Sequence, residues 1–136
     1  LGISQLKRIN RFLIKRSQIS SIYKKKLKGL PIKFQSNKKN VFSAKHLFII
    51  LVDKKIHLEL FKYLRKKKIL VNIHYIPIFL HPYFKTKKFK IKKFENSMSY
   101  YKSAISLPIH YNLTKKQQLY VINEIKNFHK MKKKIN

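Results

Sequence analysis

Residues 47–52 read Leu-Phe-Ile-Ile-Leu-Val and form the longest uninterrupted apolar run of the chain. Six apolar residues in succession are typical of a central strand that is covered on both faces, so we predict a strand over 45–52. Asp53 follows and is suited to cap a helix. The apolar face of that helix recurs at helical spacing, at Leu58, Phe61 and Leu64.

The chain before this strand predicts a long helix. Apolar residues recur every three or four positions over 1–27, as one amphipathic helix or two in line. Gly29 and Pro31 should end it, and a short extended piece over 32–35 leads through a polar turn to the central strand.

The chain after the capped helix predicts a strand over 69–75, a mobile basic connection over 84–93, and over 105–109 a short strand or an extended segment broken by Pro108. A helix face is expected at Phe94, Met98, Tyr101 and Ile105. Thr114 and Gln117 match a capping box that opens a last helix, frayed over 130–136. Its inward positions are Val121, Ile125 and Phe128.

These segments predict an α+β fold with a long N-terminal helix and a small antiparallel or mixed sheet on which helices pack. No linker rich in Gly, Ser or Pro divides the sequence, so 1–136 is expected to be a single small domain. The first residue already belongs to an amphipathic pattern without a cap, which favours a fragment of a longer chain.

Residues 72–84, Asn-Ile-His-Tyr-Ile-Pro-Ile-Phe-Leu-His-Pro-Tyr-Phe, crowd aromatics, histidines and prolines together. Alternation along the predicted strand places Asn72 and His74 on one face and turns Tyr75 to the other. The prolines should make the following loop stiff and irregular, with His81 and Tyr83 on it. A pocket wall is the expected role of this stretch.

Three motifs resemble the DegT/StrS family of nucleotide-sugar aminotransferases. They are L-G-x-x-Q-L at 1–6, H-Y-x-P-x-x-x-x-P-Y at 74–83 and S-L-P-x-x-x-x-L-T at 106–114. Within the family, the chain is most similar to transaminases that aminate a 4-keto UDP-sugar on the route to pseudaminic acid. The similarity covers essentially the whole chain but only the C-terminal third of a family member.

The resemblance implies the small C-terminal domain of a fold-type I aminotransferase that uses pyridoxal phosphate and glutamate as a homodimer. In the family, the cofactor forms a Schiff base with a lysine of the large domain, and no lysine here lies in a segment that resembles that site. The fragment is therefore expected to be inactive alone and to hold no catalytic residue. The substrate-binding candidates are His74 first, Tyr75 second, and then His81 and Tyr83.

The charge supports a second class of function. Lys and Arg number 34 against four Asp and Glu, a formal charge of +30, which attracts polyanions and suits a nonspecific nucleic-acid-binding protein. However, the lysines lie on the polar faces of nearly every predicted element, whereas a nucleic-acid footprint concentrates charge on one face or tail. A vestigial product without independent activity is compatible with the aminotransferase hypothesis.

Other chemistries find little support. Cys is absent, and the six histidines lack the close helical spacing of a zinc motif, so no metal site is expected. The four acidic residues are scattered and are expected to be caps or surface charges. Both glycines lie near predicted helix ends, which excludes glycine-rich phosphate loops and nucleophile elbows.

No apolar run is long enough for a membrane span, and the cytoplasm is the expected location.

Overall fold

The computed structural model describes residues 2–85 and 91–135. Six α-helices and three strands occur in the described ranges. The helices are α1 Gly2–Leu6, α2 Ile9–Leu27, α3 Lys54–Lys66, α4 Pro82–Lys85, α5 Glu95–Tyr101 and α6 Lys115–Ile135. The strands are β1 Lys33–Phe34, β2 Phe48–Leu51 and β3 Ala104–Leu107, and two 3₁₀ turns span Ile78–Leu80 and Ile91–Phe94.

The strands form one antiparallel sheet in the order β1-β2-β3, with Ile50 opposite Phe34 on one side and Ile105 on the other. The predicted α+β class and small sheet are confirmed, and β2 is the central strand. The prediction that β2 is covered on both faces is confirmed in part. Phe48 and Ile50 are buried, whereas Ile49 and Leu51 are half-buried and line an open cleft with Gln35 and Tyr100.

The predicted strand over 69–75 forms only one bridge, in which Asn72 and Ser106 exchange backbone hydrogen bonds of 3.2 and 2.8 Å. Neighbouring backbone groups are engaged elsewhere. Ile69 N–H donates to the Leu64 carbonyl at the end of α3, and Val71 N–H donates to the Ile69 carbonyl. The chain then bends at His74, so a continuous ladder beside β3 does not form.

The N-terminal region forms two consecutive helices, which was one of the two predicted arrangements. Gly29 follows α2 with φ +88°, a left-handed conformation that glycine adopts without steric cost, and the helix ends there as expected. Burial is uneven along this region. No described residue of α1 is buried, whereas Ile19, Tyr23 and Leu27 of α2 enter the core.

The cap of α3 is confirmed, because Asp53 Oδ1 accepts a hydrogen bond from the Lys55 N–H at 2.7 Å. The predicted inward face was partly wrong. His57, Leu60 and Leu64 are buried, whereas Leu58 is 57% exposed. The buried stripe contains His57 because its Nε2 lies 3.0 Å from the Ala104 carbonyl oxygen of β3, which offers the ring a hydrogen-bond partner in the core.

The last helix begins at the predicted capping box. Gln117 N–H donates to Thr114 Oγ1 at 3.1 Å, and Thr114 N–H donates to Gln117 Oε1 at 2.9 Å. The expected burial of the inward positions is confirmed for Val121, Ile125 and Phe128. The tail that was predicted to fray is helical as far as Ile135, and Lys132 in it forms a 2.7 Å ion pair with Glu59 of α3.

The loop after the bend is more regular than predicted. Pro77 precedes a 3₁₀ turn, and Pro82 opens α4 at the first helical position, where its missing N–H costs no helix hydrogen bond. The expected mobile connection lies partly outside the described residues, at 86–90. In the described ranges, no helix is long and apolar enough to cross a membrane.

Candidate functional site

His74 lies at the bend that ends the extended segment over 69–73. Its side chain is half-buried, with Nδ1 2.8 Å from the Ser106 hydroxyl and Nε2 3.3 Å from the Asn72 side-chain amide. One edge of the imidazole is thus held by β3, and the other lies toward the surface with Asn72. The ring is held by its own domain without being enclosed in the core.

Tyr75 does not diverge from His74, contrary to the prediction from strand alternation. The two rings meet edge to face with centroids 4.6 Å apart, because the chain is no longer a regular strand at this point. The peptide bond between them is cis. Tyr75 is 73% exposed, so its phenol is available to another molecule or another part of a larger assembly.

His81 and Tyr83 lie on the loop that follows. His81 Nε2 is 3.3 Å from the Ile76 carbonyl oxygen, and Tyr83 packs edge-on against Phe84 with ring centroids 5.1 Å apart. Both side chains are exposed. Among the described residues, the partners of His74 are Asn72, Tyr75 and Ser106, so the structure joins the first two candidates and leaves His81 and Tyr83 apart from them.

The loop is anchored by one aromatic residue. Phe79 in the 3₁₀ turn is buried and stacks on Phe94 with ring centroids 4.9 Å apart and an interplanar angle of 25°. This contact fixes the middle of the loop against the segment that leads into α5, while the histidine and tyrosine that follow remain at the surface.

The Ser-Leu-Pro segment is held from the opposite side by α2. Tyr23 is fully buried, stacks on Phe48 and donates its hydroxyl to the Pro108 carbonyl at 3.0 Å. Burial raises the pKa of the Tyr23 phenol well above its ordinary value, so the phenol remains a hydrogen-bond donor at neutral pH. Ser106 is thereby fixed between α2, β2 and the 69–73 segment.

Tyr111, in the turn after Pro108, packs against α2. It accepts a hydrogen bond from Arg11 at 3.1 Å and packs edge-on against Phe12, with ring centroids 5.0 Å apart. Both partners belong to α2. The turn after Pro108 is therefore shaped by contacts with the N-terminal half of the chain.

An open cleft of about 420 Å³ adjoins the same segments. It is lined by residues that flank Asn72 and Ser106 in the sequence, including Ile69, Leu70, Pro108 and His110. Leu70 is largely exposed within it, so the surface beside the two motifs is concave and partly apolar. Such surfaces are common at ligand and partner sites.

Asn72 and Ser106 are the residues of this site that the sequence did not identify as functional. Ser106 has a recognisable signal, since it is the only hydroxyl in a four-residue strand that is otherwise Ala, Ile and Leu, and it is 6% exposed. A buried hydroxyl needs a hydrogen-bond partner, and His74 supplies one. No cluster of three or more metal-binding side chains occurs within 2–85 and 91–135.

The comparisons with known proteins agree with this arrangement. UDP-4-amino-4,6-dideoxy-N-acetyl-beta-L-altrosamine transaminase from Campylobacter jejuni is 33% identical over 128 residues, which are 89% of this chain and 33% of that protein. A solved structure of the sugar aminotransferase Spr1654 from Streptococcus pneumoniae, in its PMP form, superposes on this chain with a TM-score of 0.88 at 26% identity. The superposition covers 96% of this chain and 34% of that one.

A third similar protein is Helicobacter pylori PseC, an aminotransferase involved in the biosynthesis of pseudoaminic acid. It superposes with a TM-score of 0.80 at 25% identity, over 96% of this chain and 36% of that one. The chain thus spans about a third of the length of the relatives that it matches. The model of one family matches residues 1–126, and all three motifs lie inside that range. Sequence, fold and motif order therefore agree that this chain belongs to the DegT/DnrJ/EryC1/StrS aminotransferase family.

Proposed function

We propose that this chain is the C-terminal small domain of a pyridoxal-phosphate-dependent aminotransferase that transfers an amino group from glutamate to a 4-keto nucleotide-sugar. The observation that carries the proposal is the bridge between Asn72 and Ser106. It places the motif over 74–83 beside the motif over 106–114, so that His74, 32 residues before Ser106, contacts the Ser106 hydroxyl and remains half-buried and open on one side. The Campylobacter and Helicobacter relatives support a nucleotide-sugar substrate.

In this proposal His74 contacts the substrate at the open side of the domain, and Tyr75 beside it contributes an exposed phenol. His81 and Tyr83 line the approach from the loop. A half-buried histidine with both ring nitrogens in hydrogen bonds has a fixed orientation, so it can bind a ligand group without first losing the freedom of its rotamers.

The residues that the structure describes do not complete a cofactor site. Pyridoxal phosphate forms its Schiff base with a lysine that the protein encloses and desolvates, whereas no lysine side chain that the structure describes is buried. We therefore propose that the lysine and the phosphate-binding groups come from a large domain outside these residues, and that the chain alone is inactive.

The exposed apolar residues of the N-terminal region support a partner surface in the intact enzyme. Ile3 is 77% exposed, and Leu6 and Ile14 are also exposed, although they lie on helices with helical spacing. Apolar side chains grouped in this way are typical of surfaces that meet another domain or subunit. We propose that they contact the large domain or the second subunit of a homodimer.

A chimera tests the proposal directly. Residues 1–136 would replace the corresponding third of the Campylobacter transaminase, and amination of its keto-sugar nucleotide would be measured with glutamate as the donor. We expect amination by the chimera and none above the free-cofactor background by the isolated chain. Turnover by the isolated chain, or a folded chimera that binds pyridoxal phosphate but does not aminate, would contradict the proposal.

The role of His74 is tested in the same chimera. His74→Ala should lower kcat/KM about tenfold or more, equivalent to about 1.4 kcal/mol of transition-state stabilisation, with a smaller loss of stability. His46→Ala is the matched control, because His46 is exposed in the loop before β2 and belongs to none of the motifs. Equal activities of the two variants would show that His74 is structural.

A further inference from the structure

The orientation of the Asn72 side chain is fixed by the backbone. Its Oδ1 accepts a hydrogen bond from the Ile73 N–H at 2.8 Å. The reversed amide would place its NH2 group against that N–H, so this orientation is the one that forms a bond. The NH2 group therefore faces His74, with Nδ2 3.3 Å from Nε2.

This orientation decides where the histidine carries its proton. An amide NH2 group only donates, so His74 Nε2 must accept, and the hydrogen of a neutral imidazole then lies on Nδ1. Nδ1 is 2.8 Å from Ser106 Oγ, whose lone pairs accept that hydrogen. A serine hydroxyl can donate or accept, so the Ser106 contact is compatible with this tautomer and the Asn72 contact is the one that selects it.

The two partners are locked to each other as well as to the ring. Asn72 N–H donates to the Ser106 carbonyl at 3.2 Å, and Ser106 N–H donates to the Asn72 carbonyl at 2.8 Å. Ser106 is also paired with Ile49 in the sheet, and its side chain is buried. Backbone hydrogen bonds therefore fix the positions of Asn72 and Ser106 on either side of the imidazole.

We propose that Asn72 and Ser106 are positioning residues that hold the neutral imidazole of His74 as the Nδ1–H tautomer, with Nε2 as a hydrogen-bond acceptor toward the open edge of the site. The inference rests on the proposed function only for the statement that His74 faces the substrate. Because Nε2 has one lone pair, a ligand donor such as a sugar hydroxyl would bind there in place of the NH2 group of the exposed Asn72, whereas phosphate oxygens are acceptors and do not pair with it. In this proposal His74 contacts the sugar part of the substrate and not its phosphates.

Nitrogen NMR of the ¹⁵N-labelled full chain tests the tautomer without cofactor or substrate. At slightly alkaline pH, His74 should show a protonated Nδ1 and an unprotonated Nε2. The His74→Gln variant identifies its signals, and the other five histidines serve as internal references. A wild-type His74 protonated on Nε2 would overturn the proposal.

Two substitutions test the partners. Asn72→Asp replaces the donor by an acceptor, so Nε2 should gain a proton and its accepting signal should be lost. Asn37→Asp makes the same chemical change at an exposed loop position and should leave His74 as it is. An unprotonated Nε2 in the Asn72→Asp protein would refute the role of Asn72.

Ser106→Ala removes the acceptor for Nδ1 and should raise the fraction of the Nε2–H tautomer above its wild-type value, whereas Ser106→Thr keeps a hydroxyl and should retain the wild-type fraction. An alanine variant with the wild-type tautomer fraction would refute the role of Ser106. Asn72 is exposed, so its variants provide the test even where the buried Ser106 position does not tolerate alanine. Because the tautomer is read in the chain alone, its outcome is independent of the amination assay in the chimera.

Discussion

Glu124 shows how one buried carboxylate is stabilised in a protein that has very few acidic residues. It is 8% exposed, accepts a hydrogen bond from the Tyr63 hydroxyl at 2.6 Å and lies 3.5 Å from Lys67 Nζ. The sequence predicted a cap or surface charge here, because nothing local reveals that Tyr63 and Lys67 of the α3 region reach Glu124. A buried charge is tolerated only with such partners.

The first prediction concerns Tyr63. Tyr63→Phe removes the neutral donor and should lower the free energy of unfolding by about 1.5–3 kcal/mol, the range for a hydrogen bond to a charged group. Tyr120→Phe is the matched control, because the Tyr120 hydroxyl donates to the uncharged Lys67 carbonyl at 3.3 Å, and the Tyr120 side chain is 46% exposed. Urea unfolding measures both, and equal losses would contradict the prediction.

The difference in unfolding free energy between the wild type and Tyr63→Phe should depend on pH in a definite direction. Burial, followed by the hydrogen bond to Glu124, raises the pKa of Tyr63 to about 12, above the value of about 10 for an unfolded tyrosine. The folded state therefore keeps a proton that the unfolded state releases between those values. The advantage of the wild type over Tyr63→Phe should be fully present below pH 10 and decline as the pH rises toward 12.

Some residues of the candidate site were predicted from the sequence, and others were not. His74, Tyr75, His81 and Tyr83 were identified through motif resemblance, which needs only the order of residues. The contact with Ser106 was missed because it spans 32 residues of sequence and depends on the register between two segments. Alternation also misplaced Tyr75, since it assumes a strand that continues beyond the bend.

Among the elements, α6 is the one whose start is most clearly encoded. The reciprocal bonds between Thr114 and Gln117 satisfy two backbone groups, and α6 then packs on both α2 and α3. Gln118 adds a bond of 2.8 Å to the Ile19 carbonyl, which ties α6 to α2 near the capped end. Loss of the cap should therefore affect the stability of the whole domain.

The second prediction concerns this cap. Thr114→Ala should destabilise the chain by about 1 kcal/mol, because one helix N–H loses its side-chain partner. Thr114→Ser retains the hydroxyl and should remain close to the wild type. Thermal and urea unfolding of the three proteins would decide the matter, and the prediction fails if alanine and serine behave alike.

Helix ends were predictable because their signals are local. Asp53 caps α3 within two residues, and Gly29 ends α2 by its own conformation. The segment over 69–75 was predicted as a strand from its alternation, yet only Asn72 pairs with β3, while the N–H groups of Ile69 and Val71 bond to α3 and to a neighbouring residue. Pairing is a property of two segments, so periodicity in one of them does not determine it.

The whole molecule carries a formal charge of +30, and exposed lysines lie on α2, α3 and α6 and in the segments between the helices. Two ion pairs are formed among the described residues, Lys67 with Glu124 and Lys132 with Glu59. The remaining positive charges repel one another at distances over which salt screens effectively. Their spread over several helices does not single out one face for nucleic acid.

The third prediction separates overall repulsion from local helix electrostatics. Replacing Lys54 and Lys55 by Glu lowers the formal charge from +30 to +26 and places acidic groups in the first turn of α3, which has none. Replacing Lys133 and Lys134 by Glu makes the same change in the last turn of α6. Both variants should show a weaker rise of melting temperature with salt.

Only the first variant should also gain about 0.3–1 kcal/mol per residue from the helix dipole, since acidic groups are favourable near a helix N-terminus and unfavourable near its C-terminus. The first pair should therefore melt higher than the second at equal charge. Identical melting curves, or a wild-type melting temperature that does not depend on salt, would contradict this account.

The single bridge between Asn72 and Ser106 has a consequence for how the molecule opens. On one side β3 is joined to β2 along four residue pairs, whereas on the other it holds the 69–73 segment through one pair. Segments that depend on few hydrogen bonds separate with less free energy than the global transition requires. Fluctuations of the native protein should therefore release His74 from Ser106 while the sheet and the α2–α6 packing stay intact. Docking a larger partner against this edge would suppress those openings, so assembly would rigidify the recognition surface that it completes.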